Sequence, residues 1–147
     1  MSTIREIAMH LPSITSTYLA VLALLYAALT VQVIRLRQSN RASFGDSGSP
    51  TLRSAIRAHA NFAEYVPIIA LMVAMIEMSG ASALRVHLLM GALTISRLLH
   101  PLGMYVAPNT LQFRICRVGG MTITIGLLLA CALKILSRIL LGGLTPT

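Results

Sequence analysis

Long apolar stretches dominate the chain, and short polar segments separate them. Four of these stretches reach the length of about 20 residues that a helix needs to cross the roughly 30 Å hydrocarbon layer of a bilayer. Lipid offers no hydrogen-bond partners, so a spanning segment must satisfy its backbone polar groups within a helix. The pattern predicts a single all-α integral membrane domain over 1–147, a four-helix bundle with up-down topology and spans at 11–34, 56–78, 83–104 and 118–141.

Turn-forming residues mark the connections between the predicted spans. The segment 39–50 is the only turn-rich polar stretch of any length and is expected to be the main loop. Gly80 is expected to end the second helix, and Ser82 to cap the third. Four more residues break the helical pattern before the last span: Pro101, Gly103, Pro108 and Asn109.

Composition supports a membrane protein, since 56% of the residues are hydrophobic, 11% are charged and the mean hydropathy is +0.78. The net charge of +8 does not indicate nucleic acid binding, because the basic residues follow the predicted topology. The connections after the first and third spans carry Arg35, Arg37, Arg41, Arg53, Arg57, Arg114 and Arg117. By the positive-inside rule these connections lie in the cytoplasm and both termini lie outside. Near the outer boundary, Glu77, Arg85, Lys134 and Arg138 are expected to extend toward the lipid headgroups.

The segment 57–67, with the sequence RAHANFAEYVP, places strongly polar side chains at the start of the second span. Arg57, Asn61, Glu64 and Tyr65 follow the spacing i, i+4, i+7 and i+8 and therefore share one helix face. Ionisable groups at membrane depth indicate a functional site. A face with both charges is suited to a zwitterionic ligand.

Further candidate residues lie on the third and fourth spans. Arg97 reaches a depth similar to that of Glu64, so an ion pair of Glu64 with Arg97 or Arg57 that only fixes helix packing is an equally good interpretation. His100, one turn beyond Arg97, is more typical of a packed interfacial histidine than of a catalyst. Cys116 could be a nucleophile if its pKa were lowered, although this is the less favoured interpretation. The histidines show no metal-ligand spacing, so no metal site is predicted.

Four segments in register resemble one protein family, the membrane-associated proteins in eicosanoid and glutathione metabolism (MAPEG). Residues 57–67 resemble its second-helix motif, and 97–103 (RLLHPLG) resemble the third-helix motif of bacterial members. Residues 33–37 are similar to the end of the family's first helix, and 117–122 to the start of its fourth. The resemblance extends over about residues 12–140.

The resemblance implies a homotrimer in a bacterial inner membrane that binds glutathione between subunits, facing the cytoplasm. It also implies a glutathione transferase or peroxidase that activates the thiol against lipophilic small-molecule electrophiles or hydroperoxides. Arg117 resembles the thiol-activating arginine, with Arg114 as the fallback because the preceding loop differs in length. By similarity, glutathione would be held by Arg35, Arg57, Asn61, Glu64 and Tyr65, with Arg97, His100 and Tyr105 in or beside the site.

The chain departs from prostaglandin E synthase at three positions of the motifs. Ala60 stands where that enzyme has an arginine, and Met104 and Met121 stand where it has tyrosines. Tyr105, adjacent to Met104, is expected to compensate. Two alternatives remain beside the enzyme: a non-catalytic scaffold or lipid-binding protein of the same fold, and a small four-span transporter in which Glu64 would couple protons.

Overall fold

The computed structural model describes residues 11–107 and 109–142, and every regular element in these ranges is helical. These ranges contain four α-helices, and a π-helical segment leads directly into the last one. The elements are α1 (Ser13–Ser39), α2 (Pro50–Met78), α3 (Ala83–Gly103), the π-helical segment (Phe113–Gly119) and α4 (Gly120–Gly142). The prediction of an all-helical, four-helix chain is confirmed, whereas the up-down topology and the homotrimer stay predictions. Pro108, one of the predicted helix breakers, lies outside the described residues.

Three of the four predicted spans are long and apolar enough to cross a membrane: Ser13–Ser39, Pro50–Met78 and Phe113–Leu141. The remaining helix, α3, falls short of this by composition because arginines and histidines interrupt its apolar sequence. These are Arg85, His87, Arg97 and His100. The last two are buried inside the bundle. The polar character of α3 is therefore directed partly toward the protein interior.

The core lies where α2 and α3 pack against one face of α1 and α4. Its fully buried side chains include Leu22 of α1, Ile69 and Val73 of α2, Met90 of α3 and Cys131 of α4. Large apolar side chains elsewhere on α1 and α4 are exposed on the outer surface. In a bilayer, this outer surface contacts lipid or another subunit.

Local sequence signals explain how α2 begins and ends. Ser49 occupies the N-cap position, and its Oγ accepts a hydrogen bond from the Leu52 backbone N–H at 3.3 Å. Pro50 fills the first helical position, where its missing N–H is no loss. At the other end, Gly80 has φ +82°, as expected for a residue that terminates a helix. The expectation for Ser82 is only half met, since it lies at the N-cap of α3 but its side chain makes no capping bond.

The Glu77 side chain bonds to the first turn of α1, contrary to the expectation that it extends to the headgroups. Its carboxylate accepts hydrogen bonds from the backbone N–H groups of Ile14 and Thr15, both at 2.9 Å, and from the Thr15 hydroxyl at 2.6 Å. The last turn of α2 thus caps the first turn of α1, where the helix dipole favours negative charge. This contact ties the two helices together at one end of the bundle.

Candidate functional site

An open cleft of about 380 Å³ lies between α2, the end of α3 and the start of α4. Its polar lining includes Arg57, Asn61, His100 and Arg117. The structure therefore brings together side chains from three of the four motifs that carry the family resemblance. Met104 and Met121, which stand in place of the tyrosines, contribute to its apolar wall.

The polar face of α2 divides between the cleft and its surroundings. Arg57 is exposed at the cleft, and Asn61 is buried beside it, with its Nδ2 donating to the Arg57 carbonyl at 2.9 Å. Glu64 is exposed and does not line the cleft. Tyr65 is half-buried and packs against the core. Within one chain, Arg57 and Asn61 line the cleft, whereas the other two residues that the sequence predicts on this face do not.

Arg97 lies behind the cleft wall and is only 1% exposed. Its guanidinium donates to the Ser96 hydroxyl at 3.3 Å, to the Asn61 backbone carbonyl at 3.4 Å and to the Thr124 hydroxyl. All three acceptors are neutral oxygens. Across residues 11–107 and 109–142, no carboxylate lies within ion-pair distance of Arg97.

The ion pairs considered for Glu64 are therefore wrong for this chain. In the described part, the single ion pair joins Arg53 to Asp46 in the loop between α1 and α2. Glu64 is exposed, and Arg97 is buried among neutral acceptors. The buried guanidinium keeps an uncompensated positive charge next to the cleft.

His100 is 4% exposed, and both of its ring nitrogens are buried without a hydrogen-bond partner among the described residues. Most buried polar side-chain atoms in proteins have a partner, so this exception requires an explanation. His100 also lines the cleft. A ring that lines an open cleft in this way is accessible to a ligand, and packing at the interface stays the alternative interpretation.

The π-helical segment positions Arg117. An ideal Cβ built on Gly103 would lie 2.5 Å from the Arg117 backbone nitrogen and 2.8 Å from its Cβ, so only glycine permits this approach of α3 to the segment. The Arg117 guanidinium carbon lies 5.2 Å from the centre of the Phe113 ring. π-Helical turns are frequent at functional sites.

The other candidates near this segment have different surroundings. Arg114 is exposed but does not line the cleft. Cys116 is a free thiol and is 9% exposed, so it faces the interior rather than the cleft. This burial disfavours Cys116 as a nucleophile.

Arg35 and Tyr105 lie away from the cleft. Arg35 lines a separate groove between α1 and the start of α2, together with Gln32. The Gln32 Nε2 donates to the Tyr105 hydroxyl at 2.9 Å, which directs Tyr105 toward α1. Burial raises the pKa of Tyr105, and the hydrogen bond from Gln32 opposes that rise. Within one chain, Tyr105 does not take the place of the tyrosine that Met104 replaces.

Sequence reasoning missed the hydroxyl groups that support Arg97. Thr124 bonds to Arg97, to the Ser96 hydroxyl at 3.2 Å and to the Gly120 carbonyl at 2.8 Å. The available signal was a hydroxyl residue on each helix near Arg97: Ser96, which precedes it on α3, and Thr124 on α4.

Comparison with known proteins gives a consistent assignment. The model of the MAPEG family matches residues 15–137. The inner membrane protein YecN of Escherichia coli strain K12 is 37% identical over 92 residues, which are 63% of this chain and 70% of YecN. The YecN protein of Escherichia coli O6:H1 matches to the same extent. No solved structure matches. The chain therefore belongs to the MAPEG family and is a multi-pass integral membrane protein.

Proposed function

We propose that this protein is a membrane-bound glutathione-dependent enzyme, a transferase or peroxidase that acts on lipophilic electrophiles or hydroperoxides. The observation that carries the proposal is the cleft, in which two guanidinium groups converge with a buried histidine whose ring nitrogens have no hydrogen-bond partner among the described residues. Its volume falls within the roughly 300–1,000 Å³ range of small-molecule sites.

The cleft residues fit glutathione chemically. Glutathione has two carboxylates, an ammonium group and a thiol. Arg57 and Arg117 have no carboxylate partner in the described part of the chain, and guanidinium groups bind carboxylates through paired, charge-assisted hydrogen bonds. The uncompensated charge of Arg97 adds to the positive potential. His100 offers two ring nitrogens for which the described residues provide no partner.

The residues outside the cleft support a composite site in a homotrimer. Glu64 is the exposed carboxylate within α2, and a charge facing lipid near the centre of a bilayer costs about 2.5–3.5 kcal/mol. A neighbouring subunit that covers Glu64, together with the glutathione ammonium, would remove that cost. Arg35 and Tyr105, which lie away from the cleft of their own chain, would then contribute to the cleft of the neighbouring subunit across the same interface. Tyr65 would lie behind that interface.

The proposed chemistry needs only a modest electrostatic effect. Glutathione supplies the reacting sulfur. To lower a thiol pKa by two units requires about 2.7 kcal/mol of preferential stabilisation of the thiolate. The Arg117 guanidinium, fixed by the π-helical segment at the cleft, is suited to provide it. Arg57 and Asn61 would orient the ligand, and the sulfur would meet a substrate that enters from the bilayer. Cys116 takes no part.

The proposed location is the bacterial inner membrane, with the cleft facing the cytoplasm and both termini outside. The arginine-rich connections and the cleft lie at the same end of the bundle, because Arg57 is near the start of α2 and Arg117 precedes α4. This arrangement agrees with the positive-inside rule.

The test is an ultraviolet titration of the detergent-purified protein with glutathione at neutral pH, together with calorimetry. The wild type is expected to give a saturable thiolate signal. Arg117→Ala is expected to lose that signal and to keep most of the glutathione binding. Arg114→Ala is the matched control, three residues earlier and also exposed, and is expected to keep both.

Other results would contradict the assignment. An unchanged signal in Arg117→Ala would exclude Arg117 as the activating group, and a loss confined to Arg114→Ala would move the role to Arg114. Absence of both the signal and calorimetric binding in the wild type would contradict the glutathione-dependent function itself.

A further inference from the structure

A second cavity, of about 460 Å³, lies at the opposite end of the bundle from the cleft. It is formed by the turn between α2 and α3 and by the last third of α4. Arg85, Lys134 and Arg138 line it, and its walls include Ile76, Ile135 and Ile139. The cavity shares no residue with the cleft, so a ligand bound in it would not depend on glutathione binding.

The three cations converge on this cavity from two helices. Lys134 and Arg138 are four residues apart and lie on the same face of α4, while Arg85 comes from the first turn of α3. Side chains that reach headgroups individually have no reason to share one cavity. Like charges gathered in this way repel each other unless an anion lies between them.

No carboxylate among the described residues lines the cavity to supply that anion. Glu77, at the end of α2, is nearby in sequence, but its carboxylate accepts three hydrogen bonds from Ile14 and Thr15 on α1. The negative charge that would balance the three cations must therefore come from outside the described residues.

The turn offers few donors of its own. The Ser79 hydroxyl donates to the Met75 carbonyl at 2.6 Å, and the backbone N–H groups of Gly80 and Ala81 donate to carbonyls of α2. Binding would then depend on the three cationic side chains. Such a site selects its ligand by charge rather than by the shape of a headgroup.

Apolar walls beside a cationic cluster, at the end of transmembrane helices, suit an anionic amphiphile. We propose that this cavity binds the phosphate of an anionic phospholipid, with an acyl chain along Ile135 and Ile139. The guanidinium groups of Arg85 and Arg138 would bind phosphate oxygens through paired hydrogen bonds, and Lys134 would act as a point charge. The apolar walls favour a lipid over a free phosphate ion of the same chemistry.

The test is native mass spectrometry of the purified full-length protein with phosphatidylglycerol or phosphatidylcholine of identical acyl chains, and with inorganic phosphate. Phosphatidylglycerol is expected to bind tighter than phosphatidylcholine. Lys134→Gln/Arg138→Gln is expected to weaken phosphatidylglycerol binding on the order of 30-fold, since each cation near an anionic surface contributes about 1 kcal/mol. Arg41→Gln/Arg53→Gln removes the same charge at the opposite end of the bundle, from the loop before α2 and from the first turn of α2, and is expected to leave that binding unchanged.

A charge-retaining variant separates lost binding from lost folding. Lys134→Arg/Arg138→Lys is expected to bind phosphatidylglycerol like the wild type, and the glutamine variant must retain the wild-type circular dichroism spectrum. Equal binding of the two lipids would overturn the proposal. So would a weakening of phosphatidylglycerol binding in Arg41→Gln/Arg53→Gln equal to that in Lys134→Gln/Arg138→Gln. Phosphate that displaces phosphatidylglycerol at equal concentration would identify a free-anion site instead. A changed oligomeric mass in the glutamine variant would identify a contact between subunits.

Discussion

The close approach of α3 to the π-helical segment makes Gly103→Ala the most informative single substitution. An alanine Cβ at this position would lie 2.5 Å from the backbone nitrogen of Arg117 and 3.0 Å from its Cα. Overpacking of this kind costs about 1–3 kcal/mol. We expect the upper half of that range, because the opposing atoms belong to a hydrogen-bonded backbone that cannot rotate away as a side chain can.

The expected consequence extends to function. Separating the two segments displaces Arg117 relative to Arg57 and His100, and a misplacement of about 1 Å can lower activity on the order of 100-fold. Gly103→Ala should therefore lower both the free energy of unfolding and the thiolate signal. Unfolding is measured by circular dichroism during detergent denaturation.

Two other glycines calibrate the measurement. At Gly120 an alanine Cβ would lie 3.2 Å from the Ser96 carbonyl oxygen, and at Gly126 it would meet nothing within 4 Å. The cost is expected to fall in the order Gly103, Gly120, Gly126, with Gly126→Ala within about 0.5 kcal/mol of wild type. If Gly103→Ala unfolds at the same midpoint as Gly126→Ala, the close contact between α3 and the π-helical segment is refuted.

Two further predictions use pairs of like residues. Thr124→Val removes an acceptor from the buried Arg97 and should lower the free energy of unfolding by about 1–3 kcal/mol. The Thr122 hydroxyl donates only to the Val118 carbonyl, four residues earlier, so Thr122→Val should change the free energy of unfolding by less than about 0.5 kcal/mol. Equal losses in the two variants would contradict this prediction. Glu77→Gln weakens the charged cap of α1 and should lower the midpoint of unfolding, with glutathione binding intact. Glu64→Gln should instead weaken glutathione binding, with little loss of stability. Calorimetry and denaturation are measured on the same samples. The reverse pattern of effects in the two variants would exclude these roles.

The helices and their ends follow closely from the sequence. Stretches of apolar residues long enough to cross a bilayer identify α1, α2 and α4, and Gly80 marks the end of α2 because its φ of +82° is unfavourable for other residues. The sequence does not predict the π-helical segment. Its residues have the same apolar pattern as an α-helix, and the change in winding is associated with a tertiary contact, the approach of Gly103 to Arg117.

The candidate site follows from the sequence only in part. Helical spacing correctly groups Arg57 with Asn61, but it cannot say how α2 rotates against its neighbours, and that rotation leaves Glu64 exposed. Sequence reasoning also pairs Arg97 with Glu64 because opposite charges attract. The sequence indicates the similar depth of these two residues but not the direction of each side chain, and in the structure Glu64 is exposed while Arg97 is buried.

The way Arg97 is held links the fold to the proposed chemistry. A buried salt bridge would have cancelled its charge, but the two hydroxyl groups and one carbonyl that surround it only stabilise the guanidinium. The positive potential therefore extends toward Asn61 and His100, which are both buried at the cleft wall. Because these three bonds hold Arg97 in place before any ligand arrives, its charge does not have to be repositioned when an anion enters the cleft. A buried cation with no carboxylate partner among the described residues, beside an open cleft, favours the proposed enzyme, which would have to hold a thiol as its anion, over a scaffold.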